Sequence, residues 1–348
     1  MFIKNAWYVA GWASEISNDA ILSRKLLGEP VIMYRTAEGK VVAMEDRCCH
    51  RHAPLSHGRL EGDEVRCMYH GLKFAPSGQC VEIPGEAKVS PKYKVKTYPL
   101  VEKDAALWIW MGDKDKADPA EIVDWPYLDH PEWRTKQGYL HYDSNYLLVV
   151  DNIMDFSHLP YVHPTTIGTQ AFANQRPVFE NTDYGMHIDN SAYDDEPSAH
   201  FKKLGGFTGL VDRWNIYDFH YKGNLLLMDA GSSPAGEGGP KGDRKNAIEF
   251  RHFTALTPET ERTTHYHFAH PRNFKLDDRE LDDTVIGMIY TAFNEDKAII
   301  EAQQLVIDTD TPATTPMMAI SVDGPVYHIR RNIARIAAEE QSYQAAAE

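Results

Sequence analysis

At 348 residues the chain is long enough to bury two domain-sized cores. Its formal charge of −15 at pH 7 repels phosphate backbones and anionic lipid, and no long basic run reverses that locally, so neither nucleic-acid nor membrane-surface binding is expected. The opening MFIKNAWYVAGWASEI carries no sustained apolar core behind a basic end, and no apolar run approaches the ~18 residues of a membrane span, which makes a cytoplasmic protein the expectation.

The first third reads as short strands. PVIMYR, a turn at AEGK and VVAME form one hairpin pattern; GLKF, a turn at APSG and QCVEIP form another. After ALWIWMGD the composition shifts to DKDKADPAEI, charged and proline-bearing, which places a linker near residues 113–122 and domains at 1–115 and 116–348. Beyond it, helical patterns mix with strand patterns such as NLLLMDAG and TTHYHFAH. The segment YHIRRNIARIAAEEQ sets Ile329, Ile333 and Ile336 on one helical face, and the whole is an α+β layout with an antiparallel-β first domain.

Between the two hairpin patterns lies CCHRHAPLSHGRLEGDEVRCMYHG, with Cys48 and His50 at one end and Cys67 and His70 at the other. The only other cysteines are Cys49 and Cys80, and four so clustered thiols do not suit a disulfide-stapled secreted chain. Two short loops converging on one centre suit either a tetrahedral zinc or a [2Fe-2S] cluster with cysteines on one iron and histidines on the other. Zinc sites of this composition usually pair like with like along the chain, so one Cys and one His per loop favours the mixed cluster. Neutral imidazoles in place of two thiolates raise such a cluster's potential, making the first domain an electron relay. Cys49 and Cys80 are expected to pack rather than ligate. Arg47, Arg51, Arg59, Arg66 and Lys73 outnumber the nearby acids Glu61, Asp63 and Glu64, a candidate docking patch for an acidic electron donor.

A second constellation lies in DNIMDFSHLPYVHP. On a regular helix His158 and His163 stand ~140° apart, too far round for one ion, so the helix must end or distort between them, and Pro160 supplies the reason. Asp155, three residues before His158, is placed to orient that imidazole. Iron held by two histidines and one carboxylate needs a third ligand. In TVIGMIYTAFNEDKAIIEAQQ, Asp296 falls in register with an apolar stripe of Val285, Ile289, Ala292 or Phe293, and Ile300, while Glu295 is rotated ~100° away. A carboxylate on a buried stripe calls for a positive partner, which makes Asp296 the candidate.

The two Cys/His pairs resemble the Rieske fingerprint. Ala53 and Tyr69 stand where Rieske proteins of respiratory complexes carry two further cysteines, so the resemblance points to the oxygenase branch, although Cys49 replaces the proline usual there. Asp155, His158 and His163, followed much later by Asp296 on a long helix, resemble the catalytic domain of the Rieske non-haem iron oxygenases, and Asn152 also matches a family residue near the iron. The similarity spans nearly the whole chain and is closest to the vanillate O-demethylase and dicamba monooxygenase branch.

That resemblance implies an N-terminal antiparallel-β Rieske domain and a C-terminal helix-grip, START-like catalytic domain with a curved antiparallel sheet. It implies a [2Fe-2S] cluster at Cys48, His50, Cys67 and His70, and a mononuclear Fe(II) at His158, His163 and Asp296, with Asp155 and Asn152 serving catalysis. In the family's head-to-tail homotrimer an aspartate matching Asp155 links a neighbour's cluster histidine, matching His70, to the ligand matching His158. The implied activity is that of a terminal oxygenase fed with NAD(P)H electrons by a reductase or ferredoxin, using O2 to mono-oxygenate or O-demethylate a small aromatic such as a methoxy- or substituted benzoate. A cis-dihydroxylating dioxygenase and an N-demethylase remain alternatives within that chemistry, and an electron-transfer protein without catalysis is the alternative outside it. No basic residue suited to a benzoate carboxylate is evident in the sequence.

Overall fold

Strands of the N-terminal unit are held by tight turns that the sequence encodes locally. In the computed structural model, which describes residues 2–17, 20–128, 130–168, 176–309, 311 and 313–347, this unit comprises Phe2–Asp124 and Thr257–Thr260. One antiparallel sheet orders β2 (Leu22–Leu26), β3 (Glu29–Arg35), β4 (Val41–Glu45) and β9 (Thr97–Tyr98) side by side, and a second orders β1 (Trp7–Trp12), β11 (Ala106–Trp110) and β10 (Leu100–Lys103). Leu27 and Gly28 join β2 to β3 with both φ positive, at 49° and 83°, the two-residue turn whose twist matches the strands. Their amides donate to Pro258 and Glu259 carbonyls at 2.8 and 2.9 Å, which draws Thr257–Thr260 into this unit. The third sheet, β5 (Arg59–Glu61), β6 (Glu64–Arg66), β7 (Lys73–Phe74) and β8 (Cys80–Glu82), carries the Cys/His loops. The stretch 113–122 forms two 3-10 turns capped by Asp113 and Asp118, and the Trp7 indole donates to the Asp118 carbonyl at 2.8 Å, so it packs as an edge of this unit.

The second unit, Trp125–Leu256 and the chain from Glu261 on, is built on a seven-stranded antiparallel sheet. Its order is β12 (Gln137–Tyr142), β18 (Thr264–Ala269), β17 (Ile248–Pro258), β16 (Leu225–Pro234), β15 (Val211–His220), β14 (Gly185–Asp195) and β13 (Val178–Asn181). The sheet curves round a long helix, the grip expected from the resemblance. Helices α1 (Tyr146–Ile153), α2 (Leu159–Val162), α3 (Ala199–Gly205), α4 (Arg279–Ile307) and α5 (Gly324–Ala347) complete the unit. Asp278 caps α4 by accepting from the Leu281 amide, and a stripe of Val285, Ile289, Ala292, Asp296, Ile300 and Gln304 is buried. That stripe faces the sheet: the Tyr142 hydroxyl donates to the Phe293 carbonyl at 3.1 Å, and the Phe293 ring packs 5.2 Å from Tyr266 and 5.0 Å from Phe268. On α5 the buried face runs Ile329, Ile333 and Ala337, with Ile336 half-buried beside it, because packing follows the i, i+4 row rather than the i, i+3 step. The Arg330 guanidinium grips the Asp151 carboxylate, with Nε 2.7 Å from Oδ1, and ties α5 to α1. Among the described residues no helix is long and apolar enough to cross a membrane.

Candidate metal centres

The two Cys/His loops share one scaffold. Each cysteine amide donates to the carbonyl five residues on, Cys48 to Ala53 at 2.9 Å and Cys67 to Leu72 at 2.8 Å, and each cysteine carbonyl accepts from the amide four residues on, that of His52 or Gly71. Closing these turns needs a left-handed residue at that fourth place, and His52 (φ 57°) and Gly71 (φ 76°) supply it. A Cβ at Gly71 would stand 2.8 Å from Pro84 Cγ, so the second loop requires glycine on both counts.

Cys48 and Cys67, 1% and 2% exposed, sit in a core with Ile32, Tyr34, Leu55 and Phe74, whereas His50 and His70 are exposed with ring centroids 4.5 Å apart. Burial first, and then the adjoining Cys67 thiol, push the Cys48 thiol up to about 12. A thiol in that setting stays protonated at neutral pH unless a metal binds the thiolate and the proton is released to solvent. Four donors on a single zinc lie within about 4 Å of one another. Here the thiols are sunk in the core and the imidazoles lie together at the surface, a division that suits two irons, one on each pair. Cys80 is buried in the same core and Cys49 packs against it.

Four of the five residues of the expected basic docking patch are paired inside the unit, while the fifth, Arg51, is exposed. Arg59 stands 2.6 Å from Glu61, Arg66 spans Glu61 at 2.7 Å and Glu82 at 2.9 Å, Lys73 reaches Glu64 at 3.2 Å, and Arg47 reaches Glu45 at 3.4 Å. The β-hairpins place these acids beside the bases. What the second loop offers to solvent is Met68 and Tyr69, 56% and 61% exposed, with the Tyr69 ring 3.9 Å from His70.

In the second unit, α1 ends at Ile153 and a separate four-residue helical turn, α2, starts after His158 and stops before His163. Pro160 therefore stands in a first turn, where its missing N–H costs nothing; it opens α2 instead of breaking a longer helix. The two histidines flank α2 with ring centroids 5.3 Å apart. Both converge on one atom of α4, with His163 Nε2 2.9 Å and His158 Nε2 3.4 Å from Asp296 Oδ1, and the Asn152 amide donates to the same oxygen at 3.0 Å. Among the described residues, His158, His163 and Asp296 are the one set of three or more such side chains with ligand atoms within 4.8 Å of each other. Two imidazoles and one carboxylate on a common point fit a non-haem ferrous ion with remaining positions for small ligands.

Electrostatics at this point favour a positive charge. Burial pushes the Asp296 carboxyl up, but hydrogen bonds from His158 and His163 outweigh it and hold it at about 2. Burial lowers His163, and its bonds to Asp296 and Glu295 more than restore it, so the imidazole is shifted upward. A divalent ion would take over the stabilisation that the shared proton supplies.

Glu295 was not expected here. Its Oε2 lies 2.7 Å from His163 Nδ1 and accepts from the Thr166 hydroxyl at 3.0 Å, which fixes the tautomer that leaves Nε2 for the Asp296 side. The signal available was chemical: a ligating histidine needs an acceptor on its other nitrogen. The expected bond from Asp155 to His158 is absent. Since α1 has already ended, Asp155 shares no helical face with His158; its Oδ1 instead accepts from the Ser157 amide at 2.7 Å, and His158 Nδ1 is buried with no hydrogen-bond partner among the described residues.

His158, His163, Asp296, Asn152 and Asp155 all line one cavity that opens to solvent. Alternate residues of the sheet face it: Arg213, Asn215 and Tyr217 on β15, and Leu226, Met228 and Ala230 on β16. So a buried basic residue lies in the cavity, contrary to the sequence expectation. His252 reaches the cavity as well, while Asp229 pairs with Arg244 at 2.9 Å and with Arg251.

Comparison with known proteins agrees with this geometry in both units. The Rieske [2Fe-2S] domain family matches residues 6–99, and the vanillate O-demethylase oxygenase C-terminal domain family matches residues 142–339. The chain is 49% identical to the iron-sulfur subunit of the toluene-4-sulfonate monooxygenase system of Comamonas testosteroni, covering 93% of each. It is 39% identical to the oxygenase component of dicamba O-demethylase of Stenotrophomonas maltophilia, covering 86% of this chain and 88% of that one. A crystal structure of dicamba monooxygenase bound to 3,6-dichlorosalicylic acid superposes with a TM-score of 0.88 at 36% identity, over 98% of this chain and 99% of that one.

Proposed function

The chain belongs to the Rieske non-haem iron oxygenases, and from that membership we propose that it mono-oxygenates the methyl or methoxy carbon of a small aromatic substrate as the terminal oxygenase of a multicomponent system. Cys48 and Cys67 would hold one iron of the [2Fe-2S] cluster, His50 and His70 the other, and His158, His163 and Asp296 would hold the mononuclear Fe(II). The observation that carries this reading is the convergence of two imidazoles on one carboxylate oxygen at the wall of a cavity. When bound, the metals supply electron storage and dioxygen activation.

The chain's own residues then have separable tasks. The Asn152 amide steadies Asp296, Glu295 fixes the His163 tautomer, and apolar walls such as Phe156, Leu226 and Ile289 seat an aromatic ring and exclude water. A reductase or ferredoxin delivers electrons in the cytoplasm. In a homotrimer, the exposed His70 of one chain would donate to Asp155 of the next, which links the electron relay to the His158 side of the iron site.

The test is product analysis. With a generic reductase and NADH, a methoxybenzoate is expected to give a phenol and formaldehyde, and 4-toluenesulfonate the benzylic alcohol, each with one O2 consumed per product, about 1:1. A cis-diol would replace this reading with ring dihydroxylation. Cluster reduction without oxygen uptake across the panel would reduce the protein to an electron carrier.

A further inference from the structure

A line of hydrogen-bonded side chains runs through the wall of the cavity beside His158, His163 and Asp296. His252 and Thr254 are alternate residues of β17 and share one face of the sheet; Tyr266 lies on the neighbouring β18, and His270 follows the end of that strand. All four are buried. The Thr254 hydroxyl donates to the Tyr266 oxygen at 3.4 Å, His252 Nε2 lies 2.7 Å from Thr254 Oγ1, and His252 Nδ1 lies 2.9 Å from His270 Nδ1. Tyr266, His252 and His270 line the cavity, and His270 also borders a second, small pocket that includes the exposed Lys136.

These bonds share one direction. With its own proton given to Tyr266, Thr254 accepts from His252 Nε2–H. Burial pushes both imidazoles down, His252 to about 3 and His270 well below its ordinary value, so at neutral pH each ring carries a single N–H. His252 has committed its N–H to Thr254, so its Nδ1 accepts, and His270 donates Nδ1–H and keeps Nε2 as an acceptor. Every donor therefore points from the His270 end toward Tyr266, whose phenol burial keeps protonated and able to give its proton to a group in the cavity.

We infer that His270, His252, Thr254 and Tyr266 form a proton relay that feeds the cavity during oxygenation, an inference that rests on the oxygenase reading. Placing one atom of O2 into a C–H bond sends the other out as water, and the balance takes two electrons and two protons. The electrons arrive singly by way of the cluster from the donor protein, and the protons come from solvent. An aromatic ring seated in the cavity displaces the water that would otherwise carry them. In the relay a proton enters at His270 Nε2, the His270 Nδ1 proton moves to His252 Nδ1, and the His252 Nε2 proton moves to Thr254 Oγ1. The Thr254 proton then moves to Tyr266, and the phenol proton passes into the cavity. Each transfer breaks one N–H or O–H bond and makes another, so no charge is left in the wall. One pass leaves each imidazole as its other tautomer, and a half-turn of each ring, both of which border the cavity, restores the line. Tyr266 is the catalytic residue of this set, and the other three act through it.

The test compares O2 uptake in H2O and D2O by the full-length, metal-loaded protein, given a generic reductase, NADH and 4-toluenesulfonate or 4-methoxybenzoate, with substrate affinity measured by anaerobic calorimetry. Thr254→Val keeps the side-chain shape and removes the hydroxyl; His270→Gln keeps a hydrogen bond but cannot pass a proton through its side chain. Each is expected to lower turnover by about 10-fold or more, with substrate affinity and the rate of cluster reduction within about 3-fold of wild type. In both, the solvent isotope effect on turnover is expected to exceed that of wild type. Thr254→Ser, which restores the hydroxyl, should recover most of the loss, and the two Thr254 variants carry the test if His270→Gln does not fold. Independently of turnover, solid-state NMR of the 15N-histidine-labelled protein should show a nitrogen-to-nitrogen coupling across the His270–His252 hydrogen bond that His270→Gln abolishes. Affinity that falls along with turnover, a serine no better than valine, an unchanged isotope effect, or no such coupling in wild type overturns the inference. Wild type that consumes O2 while the variants behave like it refutes the relay alone. Wild type that takes up no O2 refutes the oxygenase reading and the relay with it.

Discussion

Asp296→Ala is expected to leave the cluster's visible and EPR spectra unchanged, to retain under about a tenth of the mononuclear iron, and to lower turnover on the order of 1000-fold or more. The reason is that a single oxygen, Oδ1, is the point on which His158, His163 and Asn152 all converge. Removing it takes away the one anionic ligand of the set and leaves the Asn152 amide without its acceptor. Glu295 cannot step in from its present place, because it engages His163 at Nδ1, the nitrogen opposite the one that faces Asp296. Iron content with turnover retained in this variant would mean that the carboxylate ligand lies elsewhere. The N-terminal cluster loops belong to a separate packed unit, so their spectrum serves as the folding control.

Asp155→Asn is expected to keep both metals at wild-type content and yet lose about 100-fold in turnover. The amide oxygen of Asn still accepts from the Ser157 amide, so the turn after α1 keeps its hydrogen bond. What the substitution removes is the negative charge and the acceptor that would receive a neighbouring chain's cluster histidine in the proposed trimer. Within one chain Asp155 makes no bond to His158, so the bridge proposed above would have to run between subunits. Stopped-flow measurement should therefore find the cluster reduced at the normal rate by its donor, with the delay appearing in its reoxidation during turnover. Unchanged turnover would contradict the bridging role.

The same residues mark what the sequence made legible. The Cys/His pairs were readable because each pair is local, and a turn of four or five residues needs no tertiary information to bring Cys and His together. Asp296 was readable because one acid interrupts an otherwise apolar stripe of α4, at the 3.6-residue period that burial enforces. The curved sheet and grip helix followed from the resemblance rather than from periodicity.

Other features depended on contacts that no local pattern encodes. Glu295 lies off the apolar stripe and gains its role from His163, which arrives from a loop 132 positions away in sequence. Arg213 sits in a strand buried on both faces along its first half, so alternation gives no sign of which side borders the cavity. Asp155 was assigned a helical face that ceases to exist once α1 stops at Ile153. Much of the basic patch is paired because neighbours on adjoining strands such as Glu61 and Glu82 meet Arg66, and strand register is a tertiary outcome.

Iron, acid-labile sulfide and zinc should be quantified on the anaerobically purified holoprotein, together with EPR of the dithionite-reduced form. About three iron and two sulfide per chain, with a reduced-cluster signal of the low average g that histidine ligation gives and no stoichiometric zinc, is the predicted result. Zinc in place of iron, or an absence of sulfide, would contradict the account at its root.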